Sequence, residues 1–179
     1  MSVKIKYFVH GTTTDNVAKL CSGWKEAMLN ELGREQALNL GNVSKERGDK
    51  FDIVFTSDLK RAVESASIAF AQYERIIDKR LRECNYGDLD GEHKSLVIYE
   101  DHIDEAFPNG ESLNDVEKRV RDFVNYLKDN YDGKSVAIVA HRAPQLALEV
   151  ICKNLSWEDA NKGDWRKTGD WQPGWDYEI

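Results

Sequence analysis

The run SVAIVA at 135–140 is apolar on both of its alternating faces. A strand with one wet face alternates apolar and polar residues. A continuous apolar run this short marks a strand covered on both sides, as in the interior of a parallel sheet. Three other short runs read as strands: Val3 to Val9, Phe51 to Thr56 and Arg75 to Asp78. Between them lie segments with helical spacing. Leu29, Leu32, Leu40 and Val43 mark one, with Gly41 a mild weakness in it. Leu59, Ala62, Val63, Ala66, Phe70 and Tyr73 mark a second. Leu113, Val116, Val120, Phe123 and Leu127 mark the cleanest, which Asn130 and Gly133 bring to a close. A further helix is expected to start near Pro144 and to run through Leu146, Leu148, Val150 and Ile151, since proline is favourable in a first helical position. Strands alternating with amphipathic helices imply right-handed crossovers. The expected fold is therefore an α/β three-layer sandwich, a mainly parallel central sheet flanked by helices.

At 179 residues the chain suits one domain spanning 1–179, with no repeat, low-complexity stretch or linker. A net charge of −7 argues against a nucleic-acid partner but leaves room for a small basic pocket. Cys21, Cys84 and Cys152 are odd in number, widely spaced and outside any CxxC pair, so neither a disulfide framework nor a zinc site is indicated. The opening MSVKIKYFVH runs straight into a strand pattern, and no apolar run reaches membrane length. A cytoplasmic protein with no membrane partner is expected; oligomeric state is not readable. The stretch from Gly87 to Gly110 lacks a period and is expected to hold loops and a short helix above the sheet. The tail sets Trp165, Trp171 and Trp175 among glycines and charges. Either it folds back onto the domain, the simpler reading, or its rings line a ligand mouth.

In doubly wound α/β folds, ligands bind beyond the carboxyl ends of the strands. His10-Gly11-Thr12-Thr13 follows the first strand, and Ser57-Asp58-Leu59-Lys60-Arg61 follows the second and opens a helix. Leu81-Arg82-Glu83 lies near the third, and His141-Arg142-Ala143-Pro144 follows the fourth. A lone histidine at a strand end is usually structural. Taken singly, Arg61 reads as a solvated helix residue and Glu83 as a loop carboxylate paired to Arg82. Two of only four histidines in matching places, with Arg61 and Glu83 at neighbouring ends, point instead to a reactive site.

These residues carry a resemblance. "VHGTTTDN" at 9–16 resembles the RHGxTxxN signature of the histidine phosphatase superfamily, in its phosphoglycerate mutase-like branch. The likeness continues through "SGW" at 22–24, "LNELGREQA" at 29–37 and "TSDLKRAVESA" at 56–66. It runs on through "LRECNYGDLDG" at 81–91, "PNGES" at 108–112 and "VAIVAHRA" at 136–143. The resemblance implies a phosphatase acting on a small organic phosphomonoester, with no metal and no other cofactor. His10 would be the nucleophile and form a phosphohistidine, a role open to a neutral imidazole near neutral pH. Glu83 would protonate the leaving group and His141 would stand beside the transferring phosphoryl. Asn16, Arg61 and the Gly11 backbone would bind phosphate, since such transfer depends on positioning and charge stabilisation. Thr13, Ser22 and Gly23 are candidates in the substrate loop, Thr13 being equally explained as a turn residue.

Two departures stand out. Val9 replaces the arginine of the family pattern, and one lost charge-assisted contact costs about 3 kcal/mol of transition-state stabilisation, roughly a hundredfold in rate. Arg142 replaces the glycine after the second histidine, and either restores the phosphate-binding charge or points to solvent. Thr12 also stands where an acidic residue is common. Two other functions are compatible with the residues: an impaired relative that only binds a phosphorylated ligand or protein, and a phosphoglycerate mutase. A metal hydrolase is a poor fit, because His10 and His141 lack a carboxylate or cysteine partner at ligand spacing.

Overall fold

The computed structural model describes residues 2–168 and 174–179. Its strands are β1 (Lys4–Val9), β2 (Ile53–Thr56), β3 (Arg75–Ile77), β4 (Ser135–Ala140) and β5 (Trp175–Glu178). Its helices are α1 (Thr14–Val17), α2 (Glu31–Glu46), α3 (Lys60–Ala69), α4 (Leu113–Asn130), α5 (Arg142–Lys153), α6 (Trp157–Lys162) and α7 (Trp165–Thr168). The sheet order is β3-β2-β4-β1-β5. The first four strands are parallel, and β5 returns antiparallel along β1.

β4 sits at the centre of this order, and its continuous apolar run is explained by two cores. Val136, Ile138 and Ala140 face one of them, which α4 and α5 cover with Val116, Val120, Phe123 and Leu146. Ala137 and Val139 face the other, with Phe8, Val54, Ala66 and Phe70. The result is the three-layer α/β sandwich, with α2 against α3 on one side and α4 against α5 on the other. The clean stripe of α4 is wholly buried, and a Ser112–Asp115 capping box satisfies the free amides at its start.

Several boundaries differ from the sequence reading. α5 begins at Arg142, two residues before Pro144, because His141 already serves as its N-cap. Pro144 still lies in the first turn, where a missing N–H costs little. The α2 stripe is also different: Leu29 precedes the helix, Leu32 is exposed, and the buried positions are Gly33, Ala37 and Ser44. Small residues serve there because the neighbouring backbone comes close. A Cβ on Gly41 would stand 2.4 Å from the Ala69 carbonyl oxygen of α3, so this glycine is where two helices meet rather than a weakness.

The Gly87–Gly110 stretch forms short 3-10 turns at Gly87–Leu89, Lys94–Leu96 and Tyr99–His102. The tail folds back as β5, where Trp175 meets Tyr7 edge-to-face at 6.5 Å and Trp165 at the same centroid distance. Trp171 lies outside the described residues. Among the described residues, no helix is long and apolar enough to cross a membrane.

Candidate active site

The register of β1 and β4 creates the site. Val9 pairs with Ala140, so the next residue on each strand is a histidine, and the His10 amide extends the ladder to the Ala140 carbonyl at 3.1 Å. The two rings lie 5.1 Å apart, centroid to centroid. The His10 Nδ1–H donates to the Gly11 carbonyl at 2.7 Å, which fixes the ring and puts the lone pair on Nε2. Burial first, and then the Arg61 charge, lower the His10 pKa to about 3.

His141 is fully buried. The Tyr7 hydroxyl clasps its backbone on both sides, accepting from the His141 amide at 2.9 Å and donating to its carbonyl at 2.7 Å. Ser57 holds the ring: Oγ takes the Leu59 amide at 3.1 Å and lies 2.9 Å from His141 Nε2. The hydroxyl is thus placed to donate to Nε2, which puts the ring proton on Nδ1. That Nδ1 is buried and has no hydrogen-bond partner among the described residues. A buried donor left unpaired is costly unless something comes to accept from it. Burial, followed by the Arg61 charge, holds the His141 pKa well below the usual imidazole value. The ring is therefore neutral in the unliganded protein, not the imidazolium that an added charge beside the phosphoryl would require.

Arg61 opens α3 beneath the two rings and is 2% exposed. Its Nη2 donates to the Gly23 carbonyl at 2.7 Å and its Nη1 to the Lys25 carbonyl at 3.1 Å, which holds the guanidinium plane with only part of its donor capacity. Burial depresses its pKa, yet a guanidinium stays charged at any ordinary pH. Gly23 contributes a carbonyl that holds Arg61. Ser22 gives its hydroxyl to Asp15 at 3.0 Å.

The Glu83 carboxylate sits at the start of α5. Oε1 accepts the Cys84 and Ala143 amides, each at 2.9 Å, and Oε2 accepts the Arg142 amide at 3.2 Å. It supplies the helix cap that the His141 side chain does not. Arg82 is not its partner, being paired through two bonds to Asp58 at 2.7 and 2.6 Å.

Asn16 and Thr13 form the capping box of α1. The Thr13 hydroxyl accepts the Asn16 amide at 3.1 Å, a turn role, and the Asn16 Oδ1 accepts the Thr13 amide at 2.9 Å. That bond orients the carboxamide and leaves its NH2 as the donating end. The Gly11 amide is spent on Ser65 Oγ at 3.0 Å. Glycine is needed there because a Cβ would stand 2.2 Å from the Gly33 carbonyl oxygen of α2. Arg142 departs furthest from the sequence reading. Its Nε donates to Asp164 at 2.6 Å and its Nη2 to Asn161 at 2.9 Å, and the guanidinium lies 4.2 Å from the Tyr99 ring centroid. It points neither to solvent nor freely into the His10 pocket.

Residues 8–169 match the histidine phosphatase superfamily, branch 1. The chain belongs to that superfamily. It is 35% identical over 167 residues to a 2,3-bisphosphoglycerate-dependent phosphoglycerate mutase of Bartonella henselae, covering 84% of this chain and 81% of that one. It is 36% identical over 173 residues to a phosphoglycerate mutase of Schizosaccharomyces pombe, covering 86% and 81%. Among solved structures, a mycobacterial glucosyl-3-phosphoglycerate phosphatase superposes with a TM-score of 0.79 at 27% identity, covering 89% and 86%. An α-ribazole phosphatase of Shigella flexneri gives 0.77 at 27%, covering 89% and 84%.

Three contributors to this histidine phosphatase site escaped the sequence. Ser57 was detectable in principle, as a hydroxyl at the same strand end as the arginine. Tyr7 and Asp164 carry no local signal, since only the sheet register and the fold of the tail bring them in. A groove of about 650 Å³ lined by Lys4, Lys6, Asp49 and Asp176 opens at the amino ends of β1 and β4, opposite the histidines. Its charges are mixed, and it faces none of the residues above.

Proposed function

We propose that residues 1–179 act as one domain that hydrolyses a small organic phosphomonoester through a phosphohistidine on His10, without calling on a metal. One observation carries this reading. An imidazole whose Nδ1 is committed to the Gly11 carbonyl lies 5.1 Å from a buried imidazole whose Nδ1 has no partner among the described residues. A phosphoryl group bonded to His10 Nε2 at the shared edge of the two rings would be within reach of both. His10 Nε2 bonds to phosphorus as the P–O ester bond breaks, and the leaving oxygen takes a proton from Glu83. The Oε2 atom, with one long amide contact at 3.2 Å, is the oxygen best able to carry that proton. Water then attacks phosphorus, gives its proton back to Glu83, and the P–N bond breaks. Arg61, Asn16 and His141 Nδ1–H donate to the equatorial oxygens, which is most of what such a transfer requires.

The names of the relatives favour a second reading, isomerisation of a phosphoglycerate through the same phosphohistidine. One assay separates the two: incubation with an aryl phosphate and with 3-phosphoglycerate, following free phosphate and the phosphoglycerate isomer. Free phosphate from both supports the phosphatase, whereas isomer without phosphate replaces it with the mutase. His10→Ala should lose at least about a hundredfold in turnover together with the acid-labile phosphoenzyme. Undiminished turnover by that variant ends the mechanism, and phosphate binding without turnover by wild type makes the chain a binding protein.

A further inference from the structure

We propose that Asp90 is a positioning residue for the phosphoryl transfer: it holds the Gly23–Lys25 backbone, which in turn holds the Arg61 guanidinium. The inference rests on the phosphatase reading and adds to it a carboxylate that acts through the backbone.

The peptide unit between Gly23 and Trp24 leads to it. Its carbonyl accepts from Arg61 Nη2 at 2.7 Å, and its N–H donates to Asp90 Oδ2 at 3.0 Å. A peptide unit is planar, so fixing its N–H end also fixes where its carbonyl points. Lys25 repeats the arrangement. Its N–H donates to the same Asp90 oxygen at 3.2 Å, and its carbonyl accepts from Arg61 Nη1 at 3.1 Å. Both carbonyls that orient the guanidinium thus belong to backbone gathered by one carboxylate oxygen. Hydrogen bonds linked in this way polarise one another, and a charged acceptor strengthens them.

The surroundings are shaped to this carboxylate. Gly23 has a φ of +43°, and a Cβ there would overlap Asp90 Oδ1, so only glycine lets the two come together. The Gly91 amide donates to the Cys21 carbonyl at 2.8 Å and the Cys21 amide to the Glu92 carbonyl at 2.9 Å. These bonds lock the residues after Asp90 to the start of the loop that it holds. Asp90 Oδ1 itself is buried, with no hydrogen-bond partner among the described residues. A buried acceptor left unpaired costs stability and calls for a reason. Arg61 supplies one: burial raises the Asp90 pKa, and the Trp24 and Lys25 amides and then the Arg61 charge oppose that rise. The same loop also reaches the acid, since the Trp24 indole N–H donates to the Glu83 carbonyl at 2.8 Å. Residues 23–25 and Asp90 are therefore the part of their loops that must stay fixed for Arg61 to keep its plane.

The test is calorimetric binding of inorganic phosphate, with aryl phosphate kcat and KM and the urea midpoint measured on the same proteins. The variants are Asp90→Ala, Asp90→Asn, Arg61→Lys, the double variant Asp90→Ala with Arg61→Lys, and Asp52→Asn. Asp52 is the control, a carboxylate that also accepts a backbone amide, that of Ser135 at 2.9 Å, at the other end of β4. Asp90→Ala should weaken phosphate by about tenfold and lower kcat/KM by a similar factor. Asp90→Asn keeps an acceptor for the two amides without the charge, and should fall between alanine and wild type. With Arg61→Lys in place, Asp90→Ala should cost much less, because lysine has no rigid fork for the two carbonyls to orient. Where that background binds phosphate too weakly for calorimetry, kcat/KM supplies the same comparison. Asp52→Asn should at most lower the urea midpoint and leave phosphate affinity at the wild-type value. Unchanged affinity in a folded Asp90→Ala overturns the proposal. An equal loss in both backgrounds overturns it too, and leaves Asp90 a support for the loop alone. If the alanine variant does not fold, asparagine replaces it in both backgrounds, and wild-type affinity there has the same consequence. Normal turnover with an indifferent Asp90→Ala sinks this inference only. A wild type that neither binds phosphate nor turns over substrate takes the phosphatase reading with it.

Discussion

His10 and His141 are held neutral by two features at once, their burial and the Arg61 charge. Neutrality suits a nucleophile, but it makes folding depend on pH. The His10 pKa is near 6.5 in the unfolded chain and about 3 in the folded one. Above pH 6.5 neither state binds the proton and nothing is lost. Below it the unfolded chain takes up a proton that the folded protein refuses, so stability falls as pH drops from 6.5 towards 3. The slope for one such group is at most about 1.4 kcal/mol per pH unit. Urea unfolding of wild type and His10→Asn between pH 7 and 4 checks this. The stability gap should move against wild type as the solution is acidified. Parallel curves would show that His10 is not held neutral.

At the level of elements, the sequence showed strands best where burial is two-sided and helices best where a stripe faces one core. The β4 and α4 signals are strong for those reasons. It was least informative about α2, whose fully buried positions are the small residues Gly33, Ala37 and Ser44, while of the expected stripe Leu29 precedes the helix and Leu32 is exposed. The Gly41 contact gives a prediction in which two effects oppose each other. Alanine should favour the helix by about 1 kcal/mol. It would also put a Cβ 2.4 Å from the Ala69 carbonyl oxygen, and overpacking of that kind costs about 1–3 kcal/mol. The clash should win, so Gly41→Ala is expected to lower the urea midpoint; a raised midpoint would mean that α2 and α3 separate easily. Of the site, the sequence reached the side chains placed at strand ends by position in the chain. It did not reach the partners that decide which of their atoms remain available. That is why Arg142 read as a free charge: nothing in the local sequence joins it to Asp164 and Asn161.

On the scale of the whole molecule, the last strand is part of the machinery. β5 seals the β1 edge, buries Trp175 and Tyr177, and lets the Tyr177 hydroxyl donate to Glu149 at 2.7 Å. Removing residues 174–179 takes these two buried aromatic residues out of the core and leaves the β1 edge unpaired. Burial of such side chains is worth about 1.5–3 kcal/mol each, so a loss of several kcal/mol is expected in thermal or chemical unfolding. Activity should fall further than stability alone explains, because Trp175 packs on Tyr7, whose hydroxyl holds the His141 backbone. A truncated protein with full turnover would show that the tail is only a cover.

The Tyr7 clasp on the His141 backbone has a consequence for how such an enzyme can diversify. It rivets the two reactive rings to two adjacent parallel strands of the sheet, so their spacing cannot drift without unpicking the core. The segments 14–24 and 87–110, the proposed rim of the mouth, share one isolated β-bridge among the described residues, between Leu20 and His93. Novelty in what is bound can therefore accumulate at the rim while the chemistry beneath stays invariant, and anyone seeking to retarget this protein should rewrite the rim first.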